Sequence, residues 1–336
     1  MPTRSTQTPI FETRRTHLRL LSAWLLACLI CIPVPAGASP AQPKGSRDAQ
    51  AGIARQSPGA DLERWCQGVA VLEPAGGFER CLSFQLSEGD GRSVKGIPLW
   101  STDIVPLAES PPQLRVLVLG GIHADEAASV ILVMDWIARA RQGGTAQPVH
   151  WRMAPLVNPD GFFLSSRTRV NSHGVDLNRN FATHQWSEEA RQYWIKATRR
   201  DPRRFPGPTA LSEPESQWVH QQIESFQPQL IVSVHAPYGV LDFDGPPPPP
   251  SRLGKLMLDQ VGIYPGSLGN YGGIVLGVPV VTIELKQANH VSATDAAAMW
   301  NDLQVWIGGK LLNAAGVTAS ANPGRAASDE PVQAGE

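Results

Sequence analysis

The stretch GGIHADEAAS, Gly120 to Ser129, sets His123 and Glu126 three residues apart where an apolar run meets a helix-like pattern. At that spacing both side chains can lie on one face and meet a single ion, with bonds of roughly 2.0–2.2 Å from zinc to a His nitrogen or a carboxylate oxygen. Alone, an H-x-x-E is a weak signal in a chain with 8 histidines. An acid here could instead favour the positive end of a helix. That reading accounts for Asp125 and Glu126 but gives His123 no role. Two later apolar runs also carry unusual polar residues: LIVSVH ends in His235, and VVTIEL holds Glu284 among apolar neighbours. A buried carboxylate without a partner is costly, so Glu284 needs a partner or a catalytic use. His235 as a third ligand would complete a His2Glu set with one open position, an arrangement found at catalytic zinc.

The elements that must position these residues can be read from periodicity. LRVLVLG (114–120), VHWRMAPLV (149–157), LIVSVH (230–235) and VPVVTIEL (278–285) read as buried strands. EAASVILVMDWIARARQ (126–142) and SATDAAAMWNDLQVWIGGKLL (292–312) read as helices. Continuous apolar strands alternating with helices predict an α/β fold: a mixed, largely parallel central sheet with helices on both faces. In open sheets of this kind functional groups gather at the carboxyl ends of strands, where the polar residues above fall. Ser212 and Glu215 in SEPES are spaced as a capping box for a helix ending near Phe226. Pro246 to Pro250 cannot occupy a sheet or helix interior and predict an extended loop.

The ends of the chain differ in composition. Arg14, Arg15 and Arg19 precede the apolar run LLSAWLLACLICIPV and the small residues Ala36, Gly37 and Ala38. This is the pattern of a cleaved secretory signal peptide over 1–38, since about fifteen apolar residues fall short of the roughly 20 that span a bilayer. The mature chain would begin near Ser39, and its location would be periplasmic or secreted, with no stable membrane span. Loss of residues 1–38 moves the formal charge from −1 to −4. No basic stripe interleaved with aromatics is present, so nucleic-acid binding has no footprint. Residues 39–58 and 314–336 are rich in Ala, Gly, Pro and Ser and predict a disordered linker and tail around a domain at 59–313. Cys66 and Cys81 are the cysteines left after cleavage. In an exported protein an even pair predicts a disulfide, here within an N-terminal extension at 59–111.

RVNSHGVDLNRNF (169–181) resembles the R-x-N-x-x-x-x-D-x-N-R-N signature of the zinc carboxypeptidase family. In chain order GIHADE, VNPDG, DLNRNF, SEPES, SVHAP and TIEL resemble that family's blocks, across roughly residues 112–312. The resemblance implies His123, Glu126 and His235 as ligands of one Zn2+ per chain. It implies Glu284 as the general base that activates water and then protonates the leaving amine, and Arg169 as the group that polarises the scissile carbonyl. Asn178 and Arg179 align with the pair that binds a substrate carboxylate. Asp176 and Asn180 read as structural, Arg167 as equally a site or a surface residue, and His173, His184, His220 and His290 match no ligand position.

HAPYGVLDFDGP and YPGSLGNYGG resemble the bacterial murein tripeptide amidase branch of the family, which cleaves the γ-D-glutamyl–meso-diaminopimelate bond. Tyr271 is the nearest counterpart of the substrate-binding tyrosine of pancreatic-type members, although its Gly-rich setting predicts a short helix rather than a mobile loop. The branch is associated with cytoplasmic recycling, whereas this chain carries an export pattern and the Cys66–Cys81 segment. The interval from Gly245 to Tyr264 is short. The expected activity is an exported zinc metallopeptidase acting on peptidoglycan stem peptides. The alternatives are a carboxypeptidase on ordinary L-peptides, an N-acyl-amino-acid deacylase, or a non-catalytic wall-binding protein.

Overall fold

The computed structural model describes residues 58–106, 114–143, 148–246 and 248–312. The segments expected to be a signal peptide (1–38), a linker (up to residue 57) and a tail (314–336) lie outside the described residues. Among the described residues no helix is long and apolar enough to cross a membrane. Helices α1 (Pro58–Val69) and α2 (Gly77–Leu82) are joined by a disulfide between Cys66 and Cys81, both buried, with Cα atoms 5.6 Å apart. Closing a loop of this length removes denatured-state entropy worth about 3 kcal/mol. The double substitution Cys66→Ser/Cys81→Ser is therefore expected to lower the thermal midpoint by roughly 6–12 °C in scanning calorimetry. An unchanged midpoint would show that the crosslink does not stabilise the fold.

Strands β1 (Ser87–Arg92) and β2 (Pro98–Ile104) follow as an antiparallel pair. Next come β3 (Leu114–Leu119), helix α3 (Ala127–Gly143), β4 (Val149–Ala154) and the short α4 (Pro159–Phe162). Helices α5 (Trp186–Lys196) and α6 (Pro214–Phe226) lead to β5 (Leu230–His235) and β6 (Val240–Asp244). The two-residue strands β7 (Arg252–Leu253) and β8 (Leu256–Met257) form a separate hairpin. The chain then runs through a π-helical turn at Asn270–Val275 into β9 (Val280–Glu284) and α7 (Ala293–Trp306).

The seven-stranded sheet has the order β1-β2-β4-β3-β5-β9-β6. The four central strands β4, β3, β5 and β9 are parallel, and β2 and β6 flank them antiparallel. The N-terminal extension is thus no appendage, because β2 pairs directly with β4. Side-chain alternation divides the core between the two faces. Val116, Val118, Val232 and Ile283 face α3 and α7, where Trp136, Trp151 and Trp300 cluster. Leu117, Leu119 and Ile231 face the other way, against Trp218, Val219 and Ile223 of α6. The expected fold class is therefore the observed one.

Two local expectations change. The run VHWRMAPLV stops as a strand at Ala154, because Pro155 has no N–H for the ladder. Helix α6 has no capping box: Pro214 occupies its first turn, and the preceding Glu213 makes no side-chain cap bond. Glu215 instead accepts from Val94 N (3.1 Å) and from Asn171 Nδ2 (3.0 Å), tying the helix start to the β1–β2 turn and to the loop after α4.

Candidate metal centre

The loop after β3 is built by two glycines. A Cβ at Gly120 would lie 2.8 Å from Pro155 O and 2.9 Å from Ser129 O. Gly121 has φ +60°, a backbone region that costs other residues strain. Ser129 then closes the loop, donating through Oγ to Glu126 O (2.6 Å) and accepting from Gly121 N (3.0 Å). The loop holds His123 and Glu126, 3% and 5% exposed, against His235 at the carboxyl end of β5.

His123, Glu126 and His235 form one cluster whose donor atoms all lie within 4.8 Å of one another. His123 Nδ1 is 2.9 Å from Glu126 Oε1, His235 Nδ1 is 3.0 Å from Glu126 Oε2, and the two Nδ1 atoms are 3.0 Å apart. The far ring nitrogens have partners of their own: His123 Nε2 meets Asp176 Oδ1 at 3.0 Å, and His235 Nε2 meets Ser233 Oγ at 3.0 Å. A proton on each Nε2 leaves both Nδ1 lone pairs facing each other and a carboxylate. Three buried electron-pair donors with no shared proton fit a cation, and the set suits zinc.

Electrostatics agree with that fit. Burial opposes ionisation of Glu126, yet His123 and His235 hold its carboxyl far below the usual range. Burial likewise disfavours the Asp176 carboxylate, but Arg169 and His123 hold it well below its ordinary value. Burial lowers His235, which favours the neutral form that can ligate. Burial also works against charge on His123, but the Glu126 and Asp176 carboxylates raise it, marking a position that attracts a proton or a metal ion.

Asp176, read from sequence as a loop residue, accepts from Asn178 N but also holds His123 and receives Arg169 Nε at 3.0 Å. A carboxylate behind a ligating histidine fixes its tautomer and raises its basicity; losing one typically costs 10–100-fold in metal affinity. Asp176→Asn is expected to weaken zinc binding by about 10–100-fold in a chelator competition, and an unchanged affinity would remove Asp176 from this role.

A cavity of about 560 Å³ opens over the cluster, lined by His123, Glu126, Arg169, Asn178, Arg179 and Glu284 among others. Glu284 ends β9 in register with His235 of β5, so the parallel ladder itself sets the carboxylate beside the histidine. Glu284 Oε2 is buried without a hydrogen-bond partner. Burial and the nearby Glu126 carboxylate push the Glu284 carboxyl up to about 7. Arg169 donates from Nη1 to Glu126 Oε1 at 3.2 Å. Arg179 is 6% exposed, lies 4.7 Å from the Tyr264 ring, and has a buried Nε without a partner. Asn178 Oδ1 accepts from Leu268 N (2.8 Å), which fixes its amide at the cavity wall.

Other expected residues fall elsewhere. Tyr271 is buried in the π-helical turn, stacked on Phe181 and 2.6 Å from His220 Nδ1 through its hydroxyl, and it does not line the cavity. Phe181 and His220 draw the ring into the core, and Tyr264 and Tyr238 present the aromatic rings at the cavity instead. Arg167 lies over the Phe162 ring and outside this cavity. Asp125 pairs with Arg203 at 2.5 Å. Among the described residues, His173, His184, His220 and His290 do not join the metal cluster.

The fold and the donor set together define a metallohydrolase. The zinc carboxypeptidase family profile matches residues 87–242. Murein peptide amidase A of Escherichia coli (strain K12) is 34% identical over 197 residues, spanning 55% of this chain and 75% of that protein. The murein peptide amidase A of Vibrio campbellii (strain ATCC BAA-1116) is 32% identical over 216 residues, spanning 60% and 83%. Bovine thrombin-activatable fibrinolysis inhibitor shares the fold, with a TM-score of 0.50 at 16% identity over 74% of this chain and 93% of that chain. This chain belongs to the zinc carboxypeptidase family and is a metallopeptidase.

Proposed function

We propose that this chain is an exported zinc metallopeptidase that hydrolyses the γ-D-glutamyl–meso-diaminopimelate bond of peptidoglycan stem peptides. One observation carries the reading: a single cavity joins His123 and Glu126 of the donor cluster, Glu284 and the buried Arg179 with Asn178. The substrate class rests on the similarity to the murein peptide amidases. Export rests on the basic-apolar-small pattern of residues 1–38 and on the disulfide, which is at home in an oxidising compartment.

In this reading Arg179 and Asn178 hold the terminal carboxylate, where a planar guanidinium matches two oxygens. Arg169 stabilises negative charge developing on the scissile carbonyl oxygen. Glu284, as carboxylate, takes a proton from the attacking water as its oxygen bonds the carbonyl carbon. It then delivers that proton to the amide nitrogen as the C–N bond breaks. A carboxyl near 7 suits both halves of this exchange at neutral pH. When bound by His123, Glu126 and His235, zinc would acidify water and act as a Lewis acid.

Mass spectrometry after incubating the zinc-loaded protein with defined tripeptide and tetrapeptide stems tests the assignment. Free diaminopimelate from the tripeptide is the expected product. Cleavage of ordinary L-peptides without release of diaminopimelate would contradict it.

A further inference from the structure

A second cavity, of about 630 Å³, shares no lining residue with the one over the metal cluster. Three elements build it: helix α1, the turn between β1 and β2, and the segment that follows α4. Each is held in place. The disulfide from Cys66 to Cys81 anchors α1, and Gly68 lets that helix approach closely, since a Cβ there would lie 2.4 Å from Phe163 Cε1. The buried Asp160 anchors the turn by accepting from Ser93 Oγ and from Lys95 N (3.0 Å).

The lining is apolar and basic. Trp65, Ile97, Phe163 and Leu164 supply apolar surface, and Val71 and Leu164 remain 62% and 41% exposed. Arg64, Lys95 and Arg167 come one from each of the three elements, against a single lining acid, Asp61, which Arg64 meets at 3.2 Å. Among the described residues Lys95 and Arg167 have no carboxylate partner for their side chains, and Arg167 lies 4.2 Å from the centre of the Phe162 ring. The indole Nε1 of Trp65 is buried without an acceptor. A cavity of this volume can enclose a small molecule or a short peptide. Uncompensated cations beside apolar surface call for an occupant that brings carboxylates and apolar groups together. A single-headed amphiphile would leave cations on the other elements unpaired, whereas a peptide with several carboxylates meets them.

We propose that this cavity is a second, non-catalytic binding site for an acidic peptide, and that its occupant is a peptidoglycan stem peptide. The inference rests on the peptidase reading for the identity of that peptide and goes beyond it in giving the chain a second place to hold one. A stem whose amino end is acylated, as it is on the polymer, offers the carboxylates of its glutamate and diaminopimelate to the cations and its alanine methyl to the apolar wall. Holding one stem here raises the effective concentration of neighbouring stems at the metal centre. Arg167 stands two residues before Arg169, so the segment after α4 serves both cavities.

Equilibrium dialysis of the zinc-loaded, full-length Glu284→Gln protein against N-acetyl-L-Ala-γ-D-Glu-meso-diaminopimelate tests this without turnover. Two peptides per chain are expected. Adding the pair Lys95→Glu/Leu164→Glu places like charge against the carboxylates and is expected to weaken one of the two sites by about 10-fold or more. Both side chains are exposed, so the thermal midpoint should hold. In the otherwise wild-type enzyme the same pair should leave kcat/KM for the free tripeptide unchanged. Stoichiometry and affinities that the pair does not alter overturn the proposal, as does displacement of the second peptide by equimolar laurate, which would make the cavity a fatty-acid site. Loss of one bound peptide with the pair, from a protein whose wild type fails to hydrolyse the tripeptide, would uphold the cavity and count against the peptidase reading alone.

Discussion

Glu284→Gln is expected to retain one zinc per chain while kcat falls by about 100- to 10,000-fold, the usual contribution of a positioned general base. The substitution keeps shape and removes only the ability to accept a proton. It disturbs little else, because burial already disfavours charge on this side chain, and Oε2 has no hydrogen bond to lose. Stability at neutral pH should therefore hold or rise. Steady-state kinetics beside metal analysis of the same sample separates the two effects. Substantial residual turnover in a zinc-replete variant would remove Glu284 from its assigned role.

His123→Ala is expected to abolish both zinc retention and turnover. Loss of one of three ligands should exceed the roughly 10–100-fold cost of losing an outer partner such as Asp176. The variant also leaves buried carboxylate oxygens of Glu126 and Asp176 without the imidazole that now lies 2.9 and 3.0 Å away. Leaving a buried polar group without its partner costs about 1–3 kcal/mol. Arg169, which reaches both acids, limits that loss. The apo form of His123→Ala should thus melt below apo wild type, and elemental analysis should find it metal-free. Full zinc content in this variant would refute the ligand assignment.

The elements holding the three donors and Glu284 were legible in the sequence because each is a buried apolar run with a polar terminus. LIVSVH and VVTIEL could sit only in a covered sheet, and the parallel pairing of β5 with β9 then brings His235 and Glu284 side by side. His123 and Glu126 were legible as a pair but not as a site, since one short spacing carries little information until a third donor is placed. The role of Asp176 was hidden because its contact with His123 spans 53 positions along the chain. The place of Tyr271 was not legible, because a Gly-rich segment does not reveal which way a tyrosine ring turns. In the structure Phe181 and His220 capture that ring. The capping box failed for a local reason: with Pro214 in the first turn, Glu215 is free to pin a distant loop rather than return to its own helix.

The measurement that bears most directly on the whole account is a zinc titration of chelator-stripped protein with the stem tripeptide present, followed by mass spectrometry of released diaminopimelate. Diaminopimelate release that is absent without metal and saturates at one zinc per chain is the predicted result. Release that is indifferent to chelation, or no release at any zinc level, would contradict it.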